Sequence, residues 1–195
     1  MTGDSSQDEG RGKAGLANRQ DAPEGTGAAG PPHPDASACG HFGIRIARDG
    51  TWFYHGSPIA RKPLVRLFAS VLRRDEAGAY WLVTPAERGR IDVEDAPFTA
   101  VELTVTGSGR GQRLTFRTNL DEEITAGEAH PIRVVENAET GEPAPYLLVR
   151  DGLEARIVRS VFYQLVELGL EEQIDGHHLF GVWSDNRFFT LGRLS

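Results

Sequence analysis

The sequence predicts an α+β protein in which one strand, turn, helix and hairpin unit is used twice. Three observations carry this. Apolar residues alternate with polar ones in short runs punctuated by Gly, Pro, Asn and Asp. Two stretches instead space their apolar residues for a helix face. Those two stretches share a motif at matching distances from the strand that follows.

Residues 1–39 precede this pattern. Up to Ala38 they contain only two large apolar side chains, Met1 and Leu16, and they end in the turn-rich "PPHPDAS". Such a segment cannot bury enough apolar surface to offset the entropy of ordering, so a disordered leader is expected. The folded part is read as an N-terminal α+β subdomain over residues 40–97 and a C-terminal one over 98–195.

"FGIRIARDG" alternates Phe42, Ile44 and Ile46 with polar residues and stops at Asp49-Gly50, so it is a strand entering a tight turn. "TWFYHG" is the returning strand. In "SPIARKPLVRLFASVLRR", Leu64, Leu67, Phe68, Val71 and Leu72 stand at offsets 0, 3, 4, 7 and 8, a helix face, with Pro63 in the first turn. Glu76-Ala77-Gly78 is read as the helix end, and "AYWLVTP" as a buried strand. "FTAVELTV" and "RLTFRTNL" form a hairpin through "TGSGRGQ"; "PIRVVEN" and "APYLLVR" form another through "AETGEP". A second helix, "LEARIVRSVFYQLVELGL", follows Asp151-Gly152. "GHHLFGVWSDNRFFTLGRL" is a final hairpin turning at Ser184-Asp185-Asn186.

The two helical stretches echo each other. "RDG" precedes both, and both fit Ile-x-Arg-x-x-φ-φ-x-Leu-φ, where φ is apolar or aromatic. Ile59 matches Ile157, Arg61 matches Arg159, Leu64 matches Phe162 and Leu67 matches Leu165. Arg61 to Gly78 and Arg159 to Gly176 are both 17 residues. Two copies imply two related subdomains.

"DGTWFYHGSPIARKPLVRLFASVL", "WLVTPAERGRIDVEDAPF", "FRTN" and "PYLLVRDGLEARIVRSVFYQL" together resemble the bacterial family known as domain of unknown function 1285, over Gly40 to Ser195. The resemblance implies a duplicated α+β core whose second half is a bent antiparallel sheet or barrel closed by one helix, like a pleckstrin-homology domain. It also implies a ligand site between the halves for a nucleotide-like molecule, and a role in signal transduction.

Bulk composition narrows the function. A net charge of -7 opposes general affinity for nucleic acid or for an anionic membrane surface. One cysteine, Cys39, excludes an internal disulfide and a multi-cysteine metal site. No apolar run approaches the roughly 20 residues that span a bilayer, and no apolar stretch backs the acidic "MTGDSSQDEG" as in a secretory signal. A cytoplasmic protein is expected.

On the second helix, Arg156, Arg159 and Tyr163 are expected to share a face, set apart from Ile157, Val161, Leu165 and Leu168. If the copies pack with two-fold symmetry, Arg61 and Arg159 meet in one cleft, where guanidinium forks suit phosphate or carboxylate. The competing reading pairs these arginines with Asp92, Glu94, Asp95 or Glu154 for structure. Thr84, Glu87, Asp92, Glu94 and Asp95 form the most polar stretch between good strands, of which Thr84 and Asp95 are candidate ligand contacts. Trp52 is the candidate aromatic floor for a flat ligand. His177 and His178, adjacent on a strand, point to opposite faces and cannot serve one site, and no zinc site is expected. "TGSGRG" lacks the Gly-Lys-Ser/Thr ending and the following helix of a phosphate loop. With no recognisable catalytic constellation and no cofactor motif, the expected function is a non-enzymatic ligand-binding or sensory module for a small anionic ligand. The alternative is a protein-interaction domain without a small ligand.

Overall fold

The computed structural model describes residues 39–136 and 140–193, which belong to one compact unit. The leader expected to be disordered lies outside the described residues, apart from Cys39, which begins the first strand.

The N-terminal part runs β1 (Cys39–Ile46), β2 (Trp52–Tyr54), β3 (Ser57–Pro58), α1 (Lys62–Ser70), β4 (Leu72–Arg74), β5 (Tyr80–Val83) and β6 (Arg88–Val93). These strands form one sheet in the order β3-β2-β1-β6-β5-β4. All neighbours are antiparallel except β1 and β6. The C-terminal part runs β7 (Phe98–Thr106), β8 (Arg113–Thr118), β9 (Glu123–Thr125), β10 (Ile132–Glu136), β11 (Pro143–Arg150), β12 (Leu153–Ile157), α2 (Arg159–Glu167), β13 (Leu170–Ile174), β14 (His177–Ser184) and β15 (Arg187–Arg193). It forms a curled sheet, β10-β11-β12-β7-β8-β9, and a three-stranded sheet, β13-β14-β15.

The second helix starts six residues later than its sequence suggests, at Arg159. Leu153–Ile157 is a strand instead, because Leu153, Ala155 and Ile157 alternate with the half-buried Glu154 and Arg156. Pairing to both β11 and β7 outweighs the helix propensity of "LEAR". The first helix likewise ends early, at Ser70. Val71 accepts a bond from the Val83 amide at 3.0 Å, and Leu72 pairs with Leu82 in the hairpin whose turn holds Glu76, Ala77 and Gly78. The buried face of α1 is Val65 and Ala69; Leu67, expected to be core, is 61% exposed. β9 and β13 were not expected either. β13 lies where the helix pattern ran on through Leu170.

With two nine-residue helices among fifteen strands in the described residues, the molecule is richer in sheet than an even α+β balance. The pleckstrin-homology shape is not established by this topology. Its helix would close the domain, whereas three strands follow α2, and β7 and β12 pair in parallel. One apolar cluster nonetheless runs through both parts, from Ile44, Ile46 and Trp52 to Leu147, Leu165 and Leu191.

The two "RDG" turns fold differently. In the first, Gly50 alone is left-handed (φ 84°), and its amide donates to the Ala47 carbonyl at 2.9 Å. In the second, both Asp151 (φ 42°) and Gly152 (φ 74°) are left-handed, as a two-residue hairpin loop requires.

Candidate functional site

A pocket of about 580 Å³ opens where the β1–β2 turn meets the C-terminal part. The turn contributes Arg48 and Asp49, β7 contributes Thr99 and Val101, Glu142 comes from just before β11, and Pro143 and Pro145 from the start of β11. Arg156 and Ile157 close it from the end of β12, and Arg159, Phe162 and Tyr163 from the first turns of α2.

Arg156 arrives from a strand. The alternation that buries Ala155 and Ile157 turns Arg156 outward, opposite Thr99 across the parallel β12–β7 pair. Its guanidinium donates to Asp95 at 2.6 Å and to the Tyr146 hydroxyl at 3.3 Å; that hydroxyl donates to Asp95 at 2.6 Å. Burial, then Asp95, pushes the Tyr146 hydroxyl above its ordinary pKa, so it remains a donor at neutral pH. Arg133, paired with Glu154, also lies over the Tyr146 ring, 4.5 Å from its centre.

The other two arginines are freer. Arg159 reaches Glu142 only at 3.4 Å, with both side chains about two-thirds exposed (71% and 66%), so the pair is weak. The Arg48 amide donates to Glu94 at 3.0 Å, while its exposed guanidinium has no partner among the described residues. Asp49 is occupied within its own turn: it accepts from the Thr51 amide at 2.8 Å, which lowers its pKa. Three lining guanidiniums thus face two lining carboxylates, Asp49 and Glu142, with Asp95 behind.

Of the residues singled out in the sequence, Arg156, Arg159 and Tyr163 meet in this pocket, and Asp95 holds Arg156. Arg61 does not line it; it is exposed at the start of α1. Trp52 is a core residue, 2% exposed and stacked on Phe68 with ring centres 6.4 Å apart. Thr84 lines a second, apolar pocket of about 460 Å³ with Phe42, Tyr54, Leu64 and Phe68, and its hydroxyl closes a turn with Glu87. Three carboxylates of the polar stretch are taken: Asp92 by His41, Glu94 by Arg45, Asp95 by Arg156. Among the described residues, no three His, Cys, Asp or Glu side chains gather as metal ligands would, and no helix is long and apolar enough to cross a membrane. Sequence reasoning missed Arg48 and Glu142. Arg48, next to the first Asp-Gly turn, carried the repeat as its signal; Glu142 carried none.

The fold and the pocket define a two-part, sheet-rich protein whose arginines converge where the parts meet. Residues 32–96 match the model described as "Domain of unknown function (DUF1285), N-terminal domain", and residues 97–191 match "Protein of unknown function (DUF1285), C-terminal domain". The chain belongs to this family. It is similar to the crystal structure of a DUF1285 family protein from Silicibacter pomeroyi DSS-3, with 51% identity and a TM-score of 0.73, over 80% of this chain and 82% of that one. A DUF1285 family protein from Shewanella baltica OS155 aligns with 24% identity and a TM-score of 0.49, over 64% of this chain and 91% of that one. No curated protein matches the chain.

Proposed function

We propose that the protein is a non-enzymatic ligand-binding or sensory module that takes a small anionic, nucleotide-like ligand in the pocket between its two parts, with a role in signal transduction. One observation carries this reading. Arg48 from the N-terminal part, with its guanidinium unpartnered among the described residues, and Arg159 from the C-terminal part, held only at 3.4 Å, line the same pocket of about 580 Å³. Phe162 and Tyr163 offer an aromatic wall beside them, and stacking of a base on such a ring stabilises by roughly 1–3 kcal/mol. A ligand bridging the two parts would stiffen their junction, which suits a sensor. The repeated hairpin, helix and hairpin fits an ancestral duplication, with the junction as the place where a ligand can touch both copies.

The test is a thermal shift series with AMP, ADP, cyclic dinucleotides and inorganic phosphate. At about ten times Kd a true ligand raises Tm by about 3–6 °C. The shift should vanish in Arg48→Ala and Arg159→Ala, persist in Arg61→Ala and grow in Glu142→Gln. No shift with any compound, or an equal shift in all variants, overturns the reading.

A second reading, a protein-interaction domain without a small ligand, is favoured by a different surface. Tyr54 (52% exposed) and Leu64 (36%) bring apolar surface to solvent at the second pocket, and Leu67 (61%) exposes more on the same helix.

A further inference from the structure

Among the described residues four polar side chains are buried: Thr99, Gln112, Thr118 and Ser184. Three of them are tied to backbone. The Gln112 amide donates to the Trp183 carbonyl at 2.8 Å, the Thr118 hydroxyl accepts from the Glu122 amide at 3.1 Å, and the Ser184 hydroxyl donates to the Ala126 carbonyl at 2.7 Å. Thr99 is the exception. Its amide donates to the Asn119 side chain, but its hydroxyl has no hydrogen-bond partner among the described residues. A buried hydroxyl left unpaired costs stability that a valine of the same shape would not.

Strand register shows where that hydroxyl stands. Thr99 pairs with Arg156 across β7 and β12, while Phe98 and Ala100 pair with Ala155 and Ile157. Those four neighbours belong to the apolar core, so Thr99 lies on the opposite face, beside Arg156. It is only 3% exposed because the β1–β2 turn covers it: a Cβ on Gly50 would come within 3.1 Å of the hydroxyl. The cover is incomplete. Among the described residues the Trp52 indole nitrogen is the one side-chain polar atom both sealed from solvent and unpartnered. The Thr99 oxygen is unpartnered and therefore not sealed, and it opens on the pocket that Thr99 lines.

Exposure orders the pocket in depth. Arg48 and Arg159 are exposed, Arg156 is half-buried on Asp95, and Thr99, Pro145 and Ile157 are enclosed. The loosely held cations thus lie at the mouth, and the enclosed end offers one neutral hydroxyl among apolar walls. We propose that Thr99 is a specificity-determining residue of this pocket. Its hydroxyl takes an uncharged hydrogen-bonding atom at the inner end of a ligand whose anionic group rests on Arg48 and Arg159. Because a hydroxyl both donates and accepts, a hydroxyl, carbonyl or ring nitrogen of the ligand fits there and a methyl group does not. In a nucleotide the base or sugar would then point inward and the phosphate outward. The inference rests on the reading of this pocket as an anion site.

Calorimetric titration of the full chain with AMP, ADP and a cyclic dinucleotide tests it. Thr99→Val keeps the shape and loses the hydroxyl; Thr99→Ser keeps the hydroxyl. Thr99→Val should weaken the bound nucleotide about 3- to 10-fold, the share of one neutral hydrogen bond, and Thr99→Ser by less than about twofold. Without nucleotide, Thr99→Val should melt at the same temperature as the unaltered chain or higher, since no bond is lost, whereas a hydroxyl kept for structure would lower it. Arg159→Lys keeps the charge but loses the fork. Combined with Thr99→Val, the two losses should multiply to within about twofold, because the residues hold different groups. Three results overturn the inference and leave the anion site standing: equal affinity in Thr99→Val, a lower melting temperature in it, or a double variant no weaker than Arg159→Lys alone. No nucleotide bound by the unaltered chain overturns both.

Discussion

Gly50 shows at a single position how the two parts constrain one residue. It needs a left-handed backbone at φ 84°, and a Cβ there would come within 2.7 Å of the Asn119 side-chain amide and 3.1 Å of the Thr99 hydroxyl. That contact is a joint. The Asn119 side chain donates to the Gly50 carbonyl at 3.2 Å and accepts from the Thr99 amide at 3.1 Å, tying the β1–β2 turn to β7. Gly50→Ala should cost roughly 1–3 kcal/mol in chemical denaturation, from the left-handed penalty and the clash together. A loss below about 0.5 kcal/mol would mean that the turn relaxes away from Asn119. Because Arg48 stands two residues earlier, the same substitution should also weaken any ligand that depends on it.

At the scale of elements, the helices are short and placed by packing more than by propensity. Neither has a side-chain cap, and each is nine residues long, below the length at which an isolated helix is stable in water. Each is fixed by a pair of buried residues, Val65 and Ala69 on α1, Val161 and Leu165 on α2. Val65→Ala is therefore expected to cost roughly 1–3 kcal/mol, while Leu67→Ala, at a larger but exposed residue, should change stability by less than about 0.5 kcal/mol. Urea midpoints of the two variants check this. The reverse ranking would return the buried face of α1 to the one its sequence pattern suggests.

The whole molecule is held by contacts that cross between the parts. Arg66 of α1 donates to the Leu120 carbonyl at 2.8 Å and pairs with Asp121; Lys62 reaches Asp121 at 2.7 Å; Arg150 of β11 donates to the Ala69 carbonyl at 3.0 Å. The hydrogen bond from Lys62, then the charges of Lys62, Arg66 and Arg117, hold the Asp121 carboxyl below its ordinary 3.8. A group lowered on folding contributes stability that is complete above its unfolded value and is lost as pH falls through the folded one. The unfolding midpoint should thus drop as pH falls below 3.8, and the drop should be shallower in Asp121→Asn. Asparagine tolerates the left-handed backbone there, φ 63°. An acid limb of equal slope in both proteins would mean that Asp121 does not link the parts. High salt should weaken the same clamp, since its groups are more than a third exposed.

Much of this architecture is legible in the chain itself. Period-two alternation and turn residues mark β1, β7, β8, β11 and the β14–β15 hairpin, because a strand's faces alternate residue by residue and its ends need Gly, Asp or Asn. The repeated arginine motif points to α1 and α2 and to the region of Arg156, Arg159 and Tyr163. What local pattern cannot express is competition for the same residues. "LEARI" and "LRR" carry helix-compatible spacing, yet both become strands, because pairing with neighbouring strands offers hydrogen bonds and burial that a lengthened helix would forgo. Trp52 and Leu67 exchange the expected roles, one enclosed and one exposed, since burial depends on which element packs above them. The sequence alone determined the repeat, the turns and the identity of the arginines. Tertiary structure decided that Arg159 meets Arg48 instead of Arg61, because pocket lining follows the packing of the β1–β2 turn on β7 and α2, and no spacing along the chain encodes that distance.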